Sequence, residues 1–248
     1  MRFLFGRRGN KPTFDAPINP GEPFFAIGDI HGCDFKLAAL LERIQESGLP
    51  GRKVFVGDYA DRGEDSAMVH RRLHSLSKED DSAVFLRGNH EEMLLMFLDD
   101  PAEHGAWWMR HGGLQTCSSY RVAPPTGSDA TEEDWYAARD ALVEQMGEIP
   151  DWLRNLPLIW QTGNVAVVHA AADPELPMQL QPEETLLWGH PEFGTTLRTD
   201  GIWVVHGHVI QETLEVENGC IPTDSGAYAT GRLSAAWVGD GSVQYITA

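Results

Sequence analysis

The chain is short of cysteine, of positive charge and of long apolar runs, and each shortage closes a class of function. Its three cysteines, Cys33, Cys117 and Cys220, are an odd number without motif spacing. They argue against a disulfide framework and fit a reducing, cytoplasmic compartment. Lys and Arg number 19 against 37 Asp and Glu, a formal net charge of −18. Such a surface repels polyanions, which argues against nucleic acid as a partner. No apolar run is long enough to span a bilayer, so no membrane partner is expected. The opening Met1 to Lys11 carries Arg2, Arg7, Arg8 and Lys11 with no apolar stretch after it, and reads as neither signal peptide nor anchor. No linker composition splits the chain, and 248 residues suffice for one α/β domain with a substantial core.

Five short apolar runs are present instead, and each ends in residues able to bind a metal. Phe24 to Ile27 leads into Asp29 and His31, Val54 to Val56 into Asp58, Ala83 to Leu86 into Asn89, Val165 to Val168 into His169, and Ile202 to Val205 into His206 and His208. Apolar runs bounded by glycine read as buried strands, and the loops leaving strand carboxyl ends are where open α/β sheets place their ligands. Carboxylate, imidazole and amide oxygen together suit borderline divalent ions. The candidates outnumber the needs of one ion, so two are the economical reading.

Organisation changes along the chain. Up to about Leu98, strands alternate with helix-like segments: Asp34 to Gln45 places Leu37, Leu40, Leu41 and Ile44 on one face and stops at Gly48, and Met68 to Leu76 repeats the pattern more weakly. This half predicts βαβ units and a largely parallel sheet. From Pro101 to Trp160 the chain is rich in Trp, Pro and acid, with Thr131 and Asp134 spaced as a capping box, and a helical insertion or cap over the strand ends is expected. Beyond it, turn signals at Gly163-Asn164, Asn218-Gly219 and Gly239-Asp240-Gly241 predict a mostly antiparallel last third. A four-layer α/β/β/α sandwich accommodates both halves, as one domain over 1–248 with the insertion at approximately 101–160.

Gly28-Asp29-Ile30-His31-Gly32, Gly57-Asp58-Tyr59-Ala60-Asp61-Arg62-Gly63, Arg87-Gly88-Asn89-His90-Glu91, Val168-His169 and His206-Gly207-His208, in this order, closely resemble the motifs of the calcineurin-like metallophosphoesterases. Within them the chain looks most like the phosphoprotein phosphatases of bacterial and phage type. The resemblance covers roughly residues 24 to 246, since Asp224-Ser225-Gly226-Ala227 and Gly231-Arg232-Leu233 resemble the family's late strand pair. It implies the metallophosphoesterase sandwich and two divalent ions, manganese first, with iron or zinc as alternatives. Asp29, His31 and Asp58 would hold one ion, and Asn89, His169 and His208, again with Asp58, the other. The pair would hold a shared hydroxide that attacks phosphorus in line. His90 is then the acid that protonates the leaving group, Asp61 orients and charges it, and Arg62 forks onto phosphate oxygens.

Departures from the family pattern touch the substrate. Relatives commonly carry Leu-Trp-x-Arg between the last two His motifs, its Arg a second phosphate clamp, whereas Leu187-Trp188-Gly189-His190 puts His190 there. The second clamp is then weakened to His190 with a single donor, shifted to Arg198 or Arg87, or matched to a different leaving group, and the plainer alternative is that His190 packs beside Trp188 or faces solvent. His208-Val209-Ile210 lacks the Thr-Pro of many relatives. Glu91 divides between serving the dipole of a following helix and supporting a ligand. His70 and His74, one turn apart, read as a solvated helix surface, His104 and His111 as surface or lid, and Trp107, Trp108, Trp135 and Trp152 as core of the insertion.

The leading expectation is metal-dependent hydrolysis of phosphomonoesters by a serine/threonine protein phosphatase-type enzyme, acting on a phosphorylated protein or a small phosphomonoester. The alternative is a bis(5'-nucleosyl)-tetraphosphatase-like hydrolysis of dinucleoside polyphosphates. Gly32-Cys33 resembles that group, whose second motif usually lacks the acid found at Asp61. An inactive scaffold fits least, because the chain keeps every ligand and the acid His. The insertion is expected to select substrates without taking part in the chemistry.

Overall fold

Alternation of side chains along the strands sets the layers. In the computed structural model, which describes residues 13–125, 127 and 130–248, the first half runs β1 (Phe24–Ile27), α1 (Asp34–Ser47), β2 (Arg52–Phe55), α2 (Ser66–Glu79), β3 (Val84–Phe85) and α3 (Asn89–Asp99). Helices α4 (Pro101–Trp108), α5 (Leu114–Ser119), α6 (Glu132–Met146) and α7 (Ile149–Arg154) follow, α4 and α5 being joined by a turn at Met109–Gly113 that kinks at Gly112. The remainder is β4 (Ile159–Thr162), β5 (Val165–Val168), α8 (Glu183–Trp188), β6 (Trp203–His206), β7 (Cys220–Pro222), α9 (Ala227–Thr230), β8 (Ser234–Gly239) and β9 (Ser242–Thr247). The basic stretch Met1 to Lys11 lies outside the described residues.

The strands make a five-stranded sheet, β3-β2-β1-β8-β9, and a four-stranded sheet, β4-β5-β6-β7. On β1, Phe24 and Ala26 enter a core shared by the two sheets, with Val165, Val167, Val205, Ala236 and Val238. Phe25 and Ile27 point the other way, into the core that includes Leu37, Leu40 and Ile44 of α1. Each such fully buried side chain contributes about 1.5–3 kcal/mol, so a one-residue slip of β1, which would exchange its two faces, is excluded. On the second sheet, Ala166, Val168 and Val204 pack outward onto Met178 and Leu186, and α8 with its loops supplies a thin fourth layer. The layers are those predicted from the sequence.

The first half also pairs as predicted, β1 with β2 and β2 with β3 in parallel. In the last third the Gly163-Asn164 and Gly239-Asp240-Gly241 turns close the antiparallel pairs β4-β5 and β8-β9 as predicted, and the departure lies between β5 and β7. β5 pairs with β6 and β6 with β7 in parallel, while the antiparallel strand pairs among the described residues are β1-β8, β4-β5 and β8-β9. Leu214 to Val216 forms no strand, and Asn218-Gly219 closes only an isolated bridge between Glu217 and Cys220. The turn signal there is local. Long connections, through α8 between β5 and β6 and through residues 207–219 between β6 and β7, permit parallel returns, which hairpin signals cannot report. Parallel pairing gathers the carboxyl ends of β1, β2 and β3 at one edge of the first sheet and those of β5, β6 and β7 at one edge of the second.

The helical segment occupies Pro101 to Arg154, with Thr131 and Asp134 forming the capping box of α6, and β4 opens at Ile159. α4 packs on α3 and α6, whereas α5 and α7 pack on α2. That cover corrects the expectation of a solvated His70-His74 surface: His70 is 0 % exposed, its Nδ1 2.9 Å from Tyr120 Oη. The residues that bury it lie far along the chain, where the pattern of α2 carries no trace of them. No helix among the described residues is long and apolar enough to cross a membrane.

Candidate metal centre

Five strand ends converge on one buried place. Asp29 and His31 follow β1, Asp58 follows β2, Asn89 opens α3 after β3, His169 follows β5 and His208 follows β6. All are buried except His208, which is partly exposed. Ring nitrogens of His31 and His90 group with a carboxylate oxygen of Asp58, and those of His169 and His208 group with Asp58 again; within each group the donor atoms lie within 4.8 Å of one another. Asp58 belongs to both groups. The backbone is shaped for this: His31, Asp58, Asp61, Arg62 and His208 have φ of 46°, 52°, 69°, 67° and 68°. Non-glycine residues hold such strained conformations at a cost of order 1–3 kcal/mol each. Elsewhere among the described residues only Arg121, Asn218 and Asp240 do so.

The donor set calls for cations. His31 Nδ1 lies 2.9 Å from the Ala60 carbonyl and His169 Nδ1 3.1 Å from that of Val56. Carbonyls only accept, so both rings donate there and turn bare Nε2 lone pairs inward. His31 Nε2 then faces Asp58 Oδ2 at 3.4 Å, and His169 Nε2 faces Asp58 Oδ1 at 3.4 Å and Asn89 Oδ1 at 2.9 Å. His208 Nδ1 sits 3.0 Å from the same Asn89 oxygen. Burial lowers the pKa of His31 to about 3 and of His169 to about 4, so no second ring proton relieves these contacts.

Asp29 deepens the imbalance. Its Oδ2 accepts from the His208 N–H at 2.9 Å, while Oδ1 is buried without a partner. Burial, with Asp224 and Asp58 nearby, raises its pKa well above the usual carboxylate range. Lone pairs and buried carboxyl groups that converge in this way are what divalent ions satisfy, and the set fits two ions sharing Asp58. Gly207 keeps the place open, since a Cβ there would lie 1.9 Å from Asp29 Oδ1.

A second constellation adjoins the first. His90 Nδ1 donates to Asp61 Oδ2 at 2.7 Å. Burial would lower the His90 pKa, but Asp58 and Asp61 outweigh it and the pKa is raised. In His31, His169 and His208 burial wins and the pKa is lowered. Three rings thus offer lone pairs and one is set to hold a proton. Arg62 places Nη2 3.2 Å from His90 Nε2, donates from Nη1 to Tyr228 Oη at 2.5 Å, and lies over the Tyr228 ring at 4.9 Å. Glu91 accepts from the N–H groups of Asp58, Gly88 and Tyr59 at 2.7, 2.9 and 2.8 Å. It braces the Asp58 loop, and burial raises its pKa to about 7.

Two side chains of the insertion reach Asp61. Trp108 Nε1 donates to Asp61 Oδ2 at 2.9 Å and Thr116 Oγ1 to Asp61 Oδ1 at 2.6 Å. Trp108 is also core, as expected, its ring against Phe97 at 4.8 Å.

His190 stands aside from the two groups. It lines a cleft of about 850 Å³ together with His208, Trp188, Phe193 and Val209, but its Nε2 turns to Asp173 Oδ2 at 3.7 Å and its Nδ1 accepts from the Glu192 N–H at 3.3 Å. Arg198 is buried, donating to the carbonyls of Asp173 and Leu176 at 2.8 Å each and pairing with Asp200, so it braces a loop and is no substitute clamp. Arg87 Nε lies 3.3 Å from Glu92 Oε2. His206 packs edge-on to Phe193.

Sequence reasoning passed over Tyr228, Thr116 and the part played by Asp224, a buried acid beyond β7 whose Oδ1 accepts from the Gly226 N–H at 2.8 Å. Its place after one more strand was the available signal. Tyr228 sits on the four-residue α9, too short for any periodicity to show.

The chain is similar to known proteins. The family model for calcineurin-like phosphoesterases matches residues 22–212. The chain is 27% identical over 228 residues to the asymmetrical bis(5'-nucleosyl)-tetraphosphatase PrpE of Geobacillus sp. (strain WCH70), covering 79% of this chain and 84% of that protein. It is 33% identical over 151 residues to the symmetrical bis(5'-nucleosyl)-tetraphosphatase of Dechloromonas aromatica (strain RCB), covering 61% of this chain and 44%, less than half, of that longer protein. Among solved structures, a candidate diadenosine tetraphosphatase matches with a TM-score of 0.61 at 24% identity, over 92% of this chain and 95% of that one. A cold-active protein-tyrosine phosphatase of a psychrophile Shewanella sp. matches with 0.57 at 19%, over 93% and 83%. At these identities the structural likeness is one of fold.

Proposed function

The chain belongs to the calcineurin-like phosphoesterases, and from that premise we propose that it hydrolyses dinucleoside polyphosphates with two divalent ions held by Asp29, His31, Asp58, Asn89, His169 and His208. The observation that carries the reaction is the pair of donor groups sharing Asp58, with His90 and Asp61 hydrogen-bonded beside them. Bound there, the ions, manganese first, would supply Lewis acidity toward the phosphoryl group and a water-derived nucleophile near neutral pH.

The chain's own residues do the rest. Arg62, resting against Tyr228, is the planar fork that turns onto phosphate oxygens. His90 Nε2 is then clear to hold the proton that the leaving oxygen takes as its bond to phosphorus breaks. Asp61 fixes the ring through Nδ1 and balances its charge.

The curated relatives named bis(5'-nucleosyl)-tetraphosphatases support the nucleotide substrate. The cleft beside His208 adds room, with Trp188 38% exposed on its wall as an aromatic face for a base. A second reading, phosphomonoesters such as phosphoserine in proteins, is favoured by the completeness of the acid pair, because an alkoxide needs a proton on leaving far more than a nucleotide phosphate does. In either case the net charge of −18 favours a free nucleotide or a phosphoprotein over a nucleic acid polymer.

Turnover with Mn²⁺ of diadenosine tetraphosphate, a phosphoserine peptide and p-nitrophenyl phosphate tests both readings. Highest kcat/KM for the dinucleotide supports the first and for the peptide the second. Absence of Mn²⁺-dependent turnover of all three overturns the hydrolase.

A further inference from the structure

Asp61 is 0 % exposed, so its orientation rests wholly on protein donors. Oδ2 receives the His90 Nδ1–H and the Trp108 Nε1–H, and Oδ1 receives the Thr116 hydroxyl. The Thr116 oxygen also accepts from the Asp61 N–H at 2.9 Å, which directs its own hydrogen onto the carboxylate. Two of these three side-chain donors belong to the insertion. Between them the chain kinks at Gly112, whose φ is 114°. A Cβ at Gly112 would stand 2.6 Å from the Arg62 nitrogen, and the Gly112 carbonyl accepts from the Arg62 N–H at 3.4 Å. The turn thus brings the insertion's backbone down onto Asp61 and Arg62. The Trp108 ring, fully buried against Phe97, cannot swing its N–H away.

We infer that residues 108–116 of the insertion are a collar for the leaving-group acid: Trp108 and Thr116 are positioning residues that hold the Asp61 carboxylate in the one orientation that aims His90 Nε2 at the departing oxygen. A carboxylate held only by His90 could rotate and carry the ring with it. Donors on both oxygens remove that freedom. The insertion therefore serves proton delivery, whatever it does for substrate choice.

The inference rests on His90 and Asp61 being the acid pair, and the test separates the two claims. Manganese-loaded enzyme is assayed on an alkyl phosphate and on aryl phosphates of graded leaving-group strength. Trp108→Phe loses the N–H together with part of the buried ring, whereas Thr116→Val keeps the shape and loses the hydroxyl, leaving Ser66 Oγ to accept from the Asp61 N–H, and Thr116→Ser restores the hydroxyl. Losing one hydrogen bond of this kind should lower kcat for the alkyl phosphate roughly 5- to 20-fold, with KM and metal content kept, melting temperature kept in Thr116→Val and lowered by the truncated ring in Trp108→Phe, and p-nitrophenyl phosphate slowed less than about twofold in both. Thr116→Ser should recover most of the loss, and neither change should add to Asp61→Asn. In the metal-free protein, the low-field imidazole N–H resonance that disappears in His90→Asn should shift in Trp108→Phe and Thr116→Val. Equal slowing of all substrates, or losses that follow metal content or, in Thr116→Val, melting temperature, overturns the collar if His90→Asn keeps its leaving-group dependence. Absence of that dependence in His90→Asn overturns the acid pair, and the collar with it.

Discussion

The cation-facing half of the site and the acid half share strand ends but not their supports. Asp29, His31, Asp58, Asn89, His169 and His208 need only the sheets and the strained loops that leave them, with Glu91 gripping the Asp58 loop from the next strand end. His90 and Asp61 need Trp108 and Thr116 as well, from helices that lie outside the sheets altogether. A metal-binding half can thus be inherited with the sandwich. With His90 and Asp61 as the proposed acid pair, the acid half depends on what has been inserted into the sandwich, and two chains with the same five motifs would differ in how well they protonate a leaving group.

Asp58→Asn should break the cation-facing half most severely, because it weakens both donor groups. Activity should fall by more than the roughly 10²–10⁴-fold expected for losing a general acid, and calorimetric titration should show both ions weakened. One ion binding with native affinity would mean that Asp58 is not shared. His90→Asn should break only the other half, lowering kcat for alkyl phosphates by about 10²–10⁴ with metal content kept, and adding Asp61→Asn should cost little more. Multiplying losses in the double variant would deny that the two act as one unit. Glu91→Gln tests whether the strained loop needs its brace: metal affinity should drop about 10- to 100-fold, and unchanged affinity would show that the loop holds itself.

A pH dependence sharpens the contrast from beneath the insertion. Burial lowers the pKa of His70 to about 4 from its ordinary 6.5, so the unfolded chain binds the proton first. The stability this group contributes is whole above pH 6.5 and lost as pH falls toward 4, a loss of about 2 kcal/mol by pH 5. Denaturant titrations at pH 7 and pH 5 should show the fall to be steeper in the wild type than in His70→Gln; equal slopes would contradict it. The smallest effect is expected of His190→Arg. His190 faces Asp173 and lies outside both donor groups, so KM for simple phosphomonoesters should move by less than about fivefold, the range of a screened charge. A larger drop in KM would place His190 on the phosphate.

What the sequence made legible was local. Phe24–Ile27 and Val165–Val168 are strands residue for residue as read, because buried strands are continuous apolar runs with sharp polar ends. Helix α1 stops at Gly48, which takes the left-handed conformation the reading required. The parallel pairing of β5, β6 and β7 was not legible, since it depends on long connections whose paths leave no pattern. Nor were Trp108 and Thr116 as partners of Asp61. An indole N–H that meets solvent and one that meets a carboxylate 47 positions away are the same letter in the chain. His70 fails for the same reason, as its cover arrives from α5 and α7.

Left-handed backbone at His31, Asp58, Asp61, Arg62 and His208 also bears on how such an enzyme can evolve. At each of these positions glycine would relax the chain and delete the chemistry in a single exchange. Selection for heat resistance alone would therefore erode turnover before it touched the fold, and a hardened descendant of this chain could keep both sheets and every layer while being catalytically silent.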